Sequence, residues 1–230
     1  ALETRLESYE IAFRMQAEAM DAFDISKESA ATRAAYGISD RPAPGGRGGG
    51  GGGGAGGGGD QGKQLLLARR LIERGVRVVQ VWHDGWDHHQ DLEAKITTKA
   101  GEIDGPLAAL LTDLKQRGLL DSTLVVWGGE FGRKPTRDRN SNDDDKAGRD
   151  HNAKAFSVVM AGGGVKGGTV YGATDEFGAA SVTDKVHVHD LHATILQCMG
   201  LDHTKLTYRF NGRDFRLTDV AGNVVKPILA

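Results

Sequence analysis

The chain has 230 residues, 39% hydrophobic and 26% charged, enough for one sizeable core or one and a half domains. A net charge of −2 and a pI near 6.5 give no electrostatic case for nucleic acid or an anionic membrane surface. No apolar run approaches the roughly 20 residues that span a bilayer. The single cysteine, Cys198, excludes an internal disulfide and reads as a small buried hydrophobe.

In chain order, Leu2, Leu6, Tyr9 and Phe13, then Met20 and Phe23, recur at helical spacing, so residues 2–23 read as an amphipathic helix. It begins at full strength with no cap before it. The sequence is therefore expected to be a piece of a longer, processed or truncated chain, with no signal peptide in view. A second helix is expected from a Ser26 cap to Tyr36, closed by Gly37 in a left-handed conformation. Residues 41–60 run RPAPGGRGGGGGGGAGGGGD. Such a tract buries no apolar surface and loses maximal backbone entropy on ordering. A disordered loop is expected there, between a helical segment (1–40) and an α/β remainder (61–230).

Residues 64–74 place Leu65, Leu66, Ala68, Leu71 and Ile72 on one helical face, and Gly75 ends that helix. VRVVQVW at 76–82 is nearly continuous in β-branched residues, as buried parallel strands are. A long helix is expected over 92–117, with Pro106 as a break or kink and Gly118 as its cap. Residues 123–127 give a second strand, and 134–150 a polar exposed loop carrying Asp143, Asp144 and Asp145. Residues 155–161 give a third strand, ended by Gly162, Gly163 and Gly164, and a final helix covers 190–199 before Gly200. Strands alternating with helices predict an α/β fold, a mostly parallel sheet with helices on both faces.

Carboxylates and imidazoles gather next to these apolar runs. All eight histidines follow residue 82. The first cluster, His83-Asp84-Gly85-Trp86-Asp87-His88-His89, holds two candidate ligand pairs. Asp84 with His88 and Asp87 with His89 are both close enough for a turn to bring onto one cation, and spacing alone does not choose. The plainer alternative makes Asp87 a helix cap and leaves the histidines solvated. Glu130 follows two glycines after the second strand, and Arg133 is suited to gripping a phosphate or sulfate bidentately. Alternatively the two simply pair and hold a loop. His151 lies just before the third strand and reaches the same edge only if its loop folds back. His187, His189 and His192 read as packing and capping groups, with Asp190 in the first turn of the last helix. Gly162-Gly163-Gly164 lacks the Lys-Ser/Thr of a phosphate loop, and no Gly-x-Ser-x-Gly occurs, which argues against a serine esterase.

Taken in order, Gly85-Trp86-Asp87-His88-His89, Gly128-Gly129-Glu130-Phe131-Gly132-Arg133, Gly148-Arg149-Asp150-His151, the stretch from Met160 through Gly168, Asp190 through Leu196, Leu201-Asp202-His203, and Leu206 through Asp214 form a pattern. The chain resembles the sulfatase-like bacterial family known as domain of unknown function 1501, a distant branch of the alkaline phosphatase and sulfatase superfamily. The likeness covers nearly all of the chain except the glycine tract. It implies an alkaline phosphatase-like sheet with Asp87 and His89 as metal ligands and His151 completing the set. It also implies Glu130 as a ligand of a second metal, although Phe131 stands where a further ligand is usual. The nucleophile of that superfamily lies in an N-terminal region that the likeness does not reach, so the chain looks like the C-terminal part of the domain. Family members often carry a twin-arginine export signal, implying an extracytoplasmic, periplasmic or secreted home.

The expectation is a metal-dependent hydrolase-like protein acting on a small or polymeric phosphate or sulfate ester. Asp87, His89, Glu130 and His151 are its candidate ligands, with Asp84 and His88 as alternates, and Arg133 is its candidate catalytic residue. Carboxylate and imidazole donors favour zinc or manganese over iron or magnesium. The alternative is a non-catalytic, metal-stabilised binding protein at the cell surface.

Overall fold

The computed structural model describes residues 2–39, 58–138 and 146–230. Most of the glycine tract and the acidic run at 143–145 lie outside them. The chain divides into two compact units, Ala1–Trp86 with Glu93–Gln116, and Asp87–Leu92 with Arg117–Ala230.

The first unit is helical. It comprises α1 (Leu2–Phe23), a 3-10 turn (Ile25–Lys27), α2 (Ala30–Ala35), α3 (Gly58–Glu73) and most of α4 (Leu92–Gln116). Ser29, not Ser26, caps α2, its hydroxyl accepting the Thr32 amide at 3.0 Å. The expected caps Gly37 and Gly118 do take positive φ, 71° and 67°. Helix α3 begins inside the glycine tract, seven residues before Leu65, the first member of its apolar face. Pro106 sits within α4, which continues through it.

Ala22, Tyr36, Ile38, Leu65, Leu66, Ile103, Leu110 and Leu114 form the buried apolar centre. The stripe Leu2, Leu6, Tyr9 and Phe13 of α1 faces outward instead. Arg69 is buried at the middle of this unit, within 2.8 Å of Glu28, 2.6 Å of Glu73 and 2.9 Å of Asp113. Its Nη1 donates squarely to Glu73, whereas the Nε and Nη2 hydrogens miss the nearby carboxylate oxygens, so charge more than alignment holds the group. Arg70 donates to the carbonyls of Asp21 and Ala22 and pairs with Glu28, tying α3 to the end of α1.

The stretch at 76–82 is not a strand. It runs without regular structure, with Val78 and Trp82 well exposed, and so corrects the expectation of a buried parallel strand. β-Branched residues state that a segment suits a pleated surface, but not that a partner is present. The segment is fastened at its end by His83, whose Nδ1 accepts the Trp86 indole N–H at 3.2 Å. That fixes the proton on Nε2, which donates to Glu102 of α4 at 2.9 Å.

The second unit corrects the fold class. It contains β1 (Val125–Gly128), β2 (Gly132–Arg137), β3 (Arg149–Asn152), β4 (Val158–Ala161), β5 (Ala173–Thr174), β6 (Ser181–Thr183), α5 (Val188–Cys198), β7 (Thr207–Phe210) and β8 (Arg213–Arg216). These strands pair β1 with β4, β2 with β3, β5 with β6 and β7 with β8, every pair antiparallel. Among the described residues there is no parallel sheet with helices on both faces, and the alkaline phosphatase-like layering is not formed. The second and third expected strands exist, but they pair with each other in opposite directions, Val126 facing Met160 and Trp127 facing Val159. Short turns join β5 to β6 and β7 to β8, and such local connections produce antiparallel ladders, whereas parallel pairing needs a crossover.

His187 is the N-cap of α5, and Asp190 reaches back to the His187 amide at 2.9 Å, a reciprocal capping box. Asp190 also accepts the Asn223 amide at 2.7 Å, and Thr194 on the same helix accepts the Val225 amide at 2.9 Å. The C-terminal stretch is thereby laid along the helix.

Candidate metal centre

Three segments of the second unit are wired together by backbone hydrogen bonds. Residues 88–91 run beside 146–149: Arg149 N–H donates to His88 at 2.9 Å, Gly148 N–H to His89 at 3.1 Å, and Asp91 N–H to Lys146 at 2.7 Å. On the other side β2 pairs with β3 so that Arg133 stands directly opposite His151, and Asp138 N–H donates to the Gly148 carbonyl at 2.9 Å. Gly148 is the point of closest approach. A Cβ there would lie 2.1 Å from the His89 carbonyl carbon and 2.2 Å from the His88 oxygen, so only glycine lets the segments meet.

Opposed residues on an antiparallel pair share a face, and the third segment brings its side chains to the same spot. Asp87 Oδ1 lies 2.9 Å from His151 Nε2 and 3.0 Å from His89 Nε2, and the two Nε2 atoms are 3.2 Å apart. Ligands about 2.0–2.1 Å from a zinc ion stand roughly 3–3.5 Å from one another. The triangle therefore matches the donor spacing of a zinc-sized cation. Behind it, His89 Nδ1 donates to Asp138 Oδ2 at 2.6 Å, and Asp138 is only 6% exposed. Protonated, as the Asp138 and Asp87 carboxylates favour, His89 donates from Nε2 to Asp87; with its proton on Nδ1 alone it presents an Nε2 lone pair towards that oxygen instead. Two acceptors at that distance need a positive group between or beside them. In the chain itself this is met by His151, which donates to Asp87, and by the Arg133 guanidinium, 2.6 Å from the same oxygen.

The hydrogen bond from His151, then that from Arg133, holds the Asp87 carboxyl down at about 2. The Asp138 carboxylate pushes the His89 imidazole above its ordinary range. Lys134 pairs with Asp150 and keeps that carboxyl low. Phe131 lays its ring against His151, centroids 4.3 Å apart and tilted 35°, and the Arg133 guanidinium lies 5.7 Å from the centre of the Phe131 ring.

Among the described residues, two groups place three metal-capable atoms together: Asp87, His89 and His151, and His89, Asp138 and Asp150. The expected ligands Asp87, His89 and His151 are thus brought together, with Arg133 beside them. Glu130 belongs to neither group and is exposed in the turn between β1 and β2. The alternates also stay outside: Asp84 is exposed, and His88 is buried with its carbonyl engaged by Arg149. Asp138 is the residue of this candidate site that sequence reasoning missed. Its only local mark is a carboxylate beside Arg137 inside the polar stretch, and its partner is 49 positions away.

The fold and site define a helix-and-hairpin protein with an Asp–His–His cluster backed by a buried carboxylate. The chain belongs to the family described as Protein of unknown function (DUF1501), whose profile matches residues 1–229. Neither curated proteins nor solved structures give a significant match. No described helix is long and apolar enough to cross a membrane.

Proposed function

We propose that this chain holds a divalent cation, zinc or manganese, on Asp87, His89 and His151, and that it serves the hydrolysis of a phosphate or sulfate ester. The observation that carries the proposal is the triangle of Oδ1 and two Nε2 atoms with sides of 2.9, 3.0 and 3.2 Å, backed by Asp138. Three protein donors leave coordination open, as catalytic zinc sites do, whereas structural sites are closed by four. When bound, the cation would polarise the ester oxygens and lower the pKa of an attacking group.

The chain's own residues have distinct tasks. Asp138 keeps the His89 proton on Nδ1 and so keeps Nε2 available as a donor. Phe131 packs on the His151 ring and restricts its tilt. Arg133 carries the positive charge that would grip an oxyanion and balance charge developing on it. Glu130 stands apart from these groups, so the proposal rests on one cation. Placement in the alkaline phosphatase and sulfatase superfamily, and an extracytoplasmic home, are proposed on the ordered motifs alone and not on the strand arrangement.

Metal analysis of the purified protein tests this. About one equivalent of zinc or manganese should co-purify or be taken up, and Asp87→Asn and His151→Ala should lose it while keeping the circular dichroism of the parent. A metal-free parent that takes up neither ion at micromolar concentration would overturn the proposal. In a form that hydrolyses an aryl phosphate or sulfate, Asp87→Asn should abolish turnover without unfolding the protein. Unfolding together with metal loss would favour the metal-stabilised binding protein instead.

A further inference from the structure

Beside the cation cluster the second unit carries a depression of about 330 Å³, lined by Phe131, Arg133, Phe156, Ser157 and Thr174, together with backbone of neighbouring residues. That volume is at the small end for ligand pockets and suits one ring rather than a chain of them. Close backbone approach forms its floor. A Cβ on Gly132 would lie 2.0 Å from the Ala155 carbonyl oxygen and 3.2 Å from the Phe156 Cβ.

The far rim is a hydrogen-bonded turn. Asp175 accepts amide hydrogens from Phe177, Ala179 and Ala180 at 3.2, 2.8 and 3.1 Å, closing the turn between β5 and β6. Asn152, the neighbour of His151, donates to the Ala179 carbonyl at 3.1 Å and ties this rim to the strand that carries the candidate ligand.

Two residues belong to both places. Arg133 lines the depression and reaches Asp87 at 2.6 Å, and Phe131 lines it while lying against the His151 ring at 4.3 Å. An anion held between the cluster and Arg133 therefore has its substituent next to this depression. The walls offer two phenyl rings and the hydroxyl-bearing residues Ser157 and Thr174, but no carboxylate or amide side chain. A sugar ring needs a dense set of such acceptors, whereas a flat aromatic group needs faces to pack on.

We propose that the depression at Phe131, Arg133 and Phe156 is the subsite for the organic group of the ester, and that this group is a single aromatic ring. The assignment rests on the hydrolase proposal above, and its failure is separable from that one. The probes are phenylphosphonate, methylphosphonate, inorganic phosphate and a hexose 6-phosphate, titrated calorimetrically into zinc-supplemented protein. Phenylphosphonate should bind roughly tenfold tighter than methylphosphonate, a gain of the size expected from ring packing.

Phe156→Ala should remove most of that preference and leave the affinity for inorganic phosphate within twofold, because Phe156 belongs to neither metal-capable group and carries no charge. If Phe156→Ala fails to fold, Phe156→Leu keeps apolar bulk without the ring and carries the same comparison. Equal binding of the two phosphonates, or a preference that survives loss of the Phe156 ring, overturns the subsite. Tighter binding of the hexose phosphate than of phenylphosphonate overturns the aromatic assignment. Should the protein take up no zinc, the hydrolase proposal falls. The subsite is then judged by whether phenylphosphonate still prefers the parent over Phe156→Ala.

Discussion

Asp138 offers the most direct test of how the candidate centre is organised. Its carboxylate is 6% exposed and receives the Nδ1 proton of His89 at 2.6 Å, so it fixes both the tautomer and the orientation of that ring. The other nitrogen of His89 then points at Asp87 and His151. Partners of this kind behind a ligating histidine alter metal affinity by about 10- to 100-fold when removed. The size within that range follows from what replaces the carboxylate. In Asp138→Asn an amide oxygen still accepts the Nδ1 proton but supplies no charge, so a loss of about tenfold is expected.

In Asp138→Ala residue 138 offers no acceptor, and the ring keeps only its contacts with Asp87 and His151 on the Nε2 side. A loss towards a hundredfold is expected there. The assay is competition for zinc against a chromophoric chelator, with circular dichroism to show that each variant is folded. A folded Asp138→Ala protein that binds zinc within twofold of the parent would refute the assigned role. It would leave His89 as a histidine that merely stands near two acids.

Other outcomes follow from the same contacts. Gly148→Ala places a methyl group against the backbone of His88 and His89, so it should part the three segments and lower zinc affinity and thermal stability together; retention of either would show the approach to be less tight. Arg69→Met should cost roughly 3–5 kcal/mol in urea denaturation of the first unit, because Glu28, Glu73 and Asp113 would lose the cation they surround. An unchanged midpoint would mean that those acids take up protons or water at little cost.

Acid should weaken the same network. Burial pushes the Glu28 carboxyl up, but Arg69 and Arg70 together hold it below its ordinary value of 4.5. A depressed carboxylate adds stability that is present above its unfolded pKa and is lost as pH falls through the folded one. Urea midpoints should therefore drop as pH falls below about 4.5, and less steeply in Glu28→Gln than in the parent.

Local periodicity was enough for the two longest helices. Residues 2–23 and 92–116 coil over the stretches their apolar spacing marks, and Gly37, Gly118 and Gly200 end helices because few other residues tolerate positive φ. His187 and Asp190 likewise reveal their capping role within four residues of chain. The Asp-x-His of 87–89 and the distant His151 could be picked out as ligand types by chemistry alone. Their meeting could not, because it depends on the ladder between 88–91 and 146–149 and on the pairing of β2 with β3. Strand direction was beyond the sequence for the same cause. A helix is closed by bonds within its own segment, whereas a strand is completed by whichever segment lies beside it. Thus 76–82, strand-like in composition, stays unpaired, and the expected parallel sheet gives way to antiparallel pairs. Asp138 and Glu130 exchanged importance on that account. A carboxylate inside a polar stretch was folded behind His89, and one placed after a glycine pair was left facing solvent.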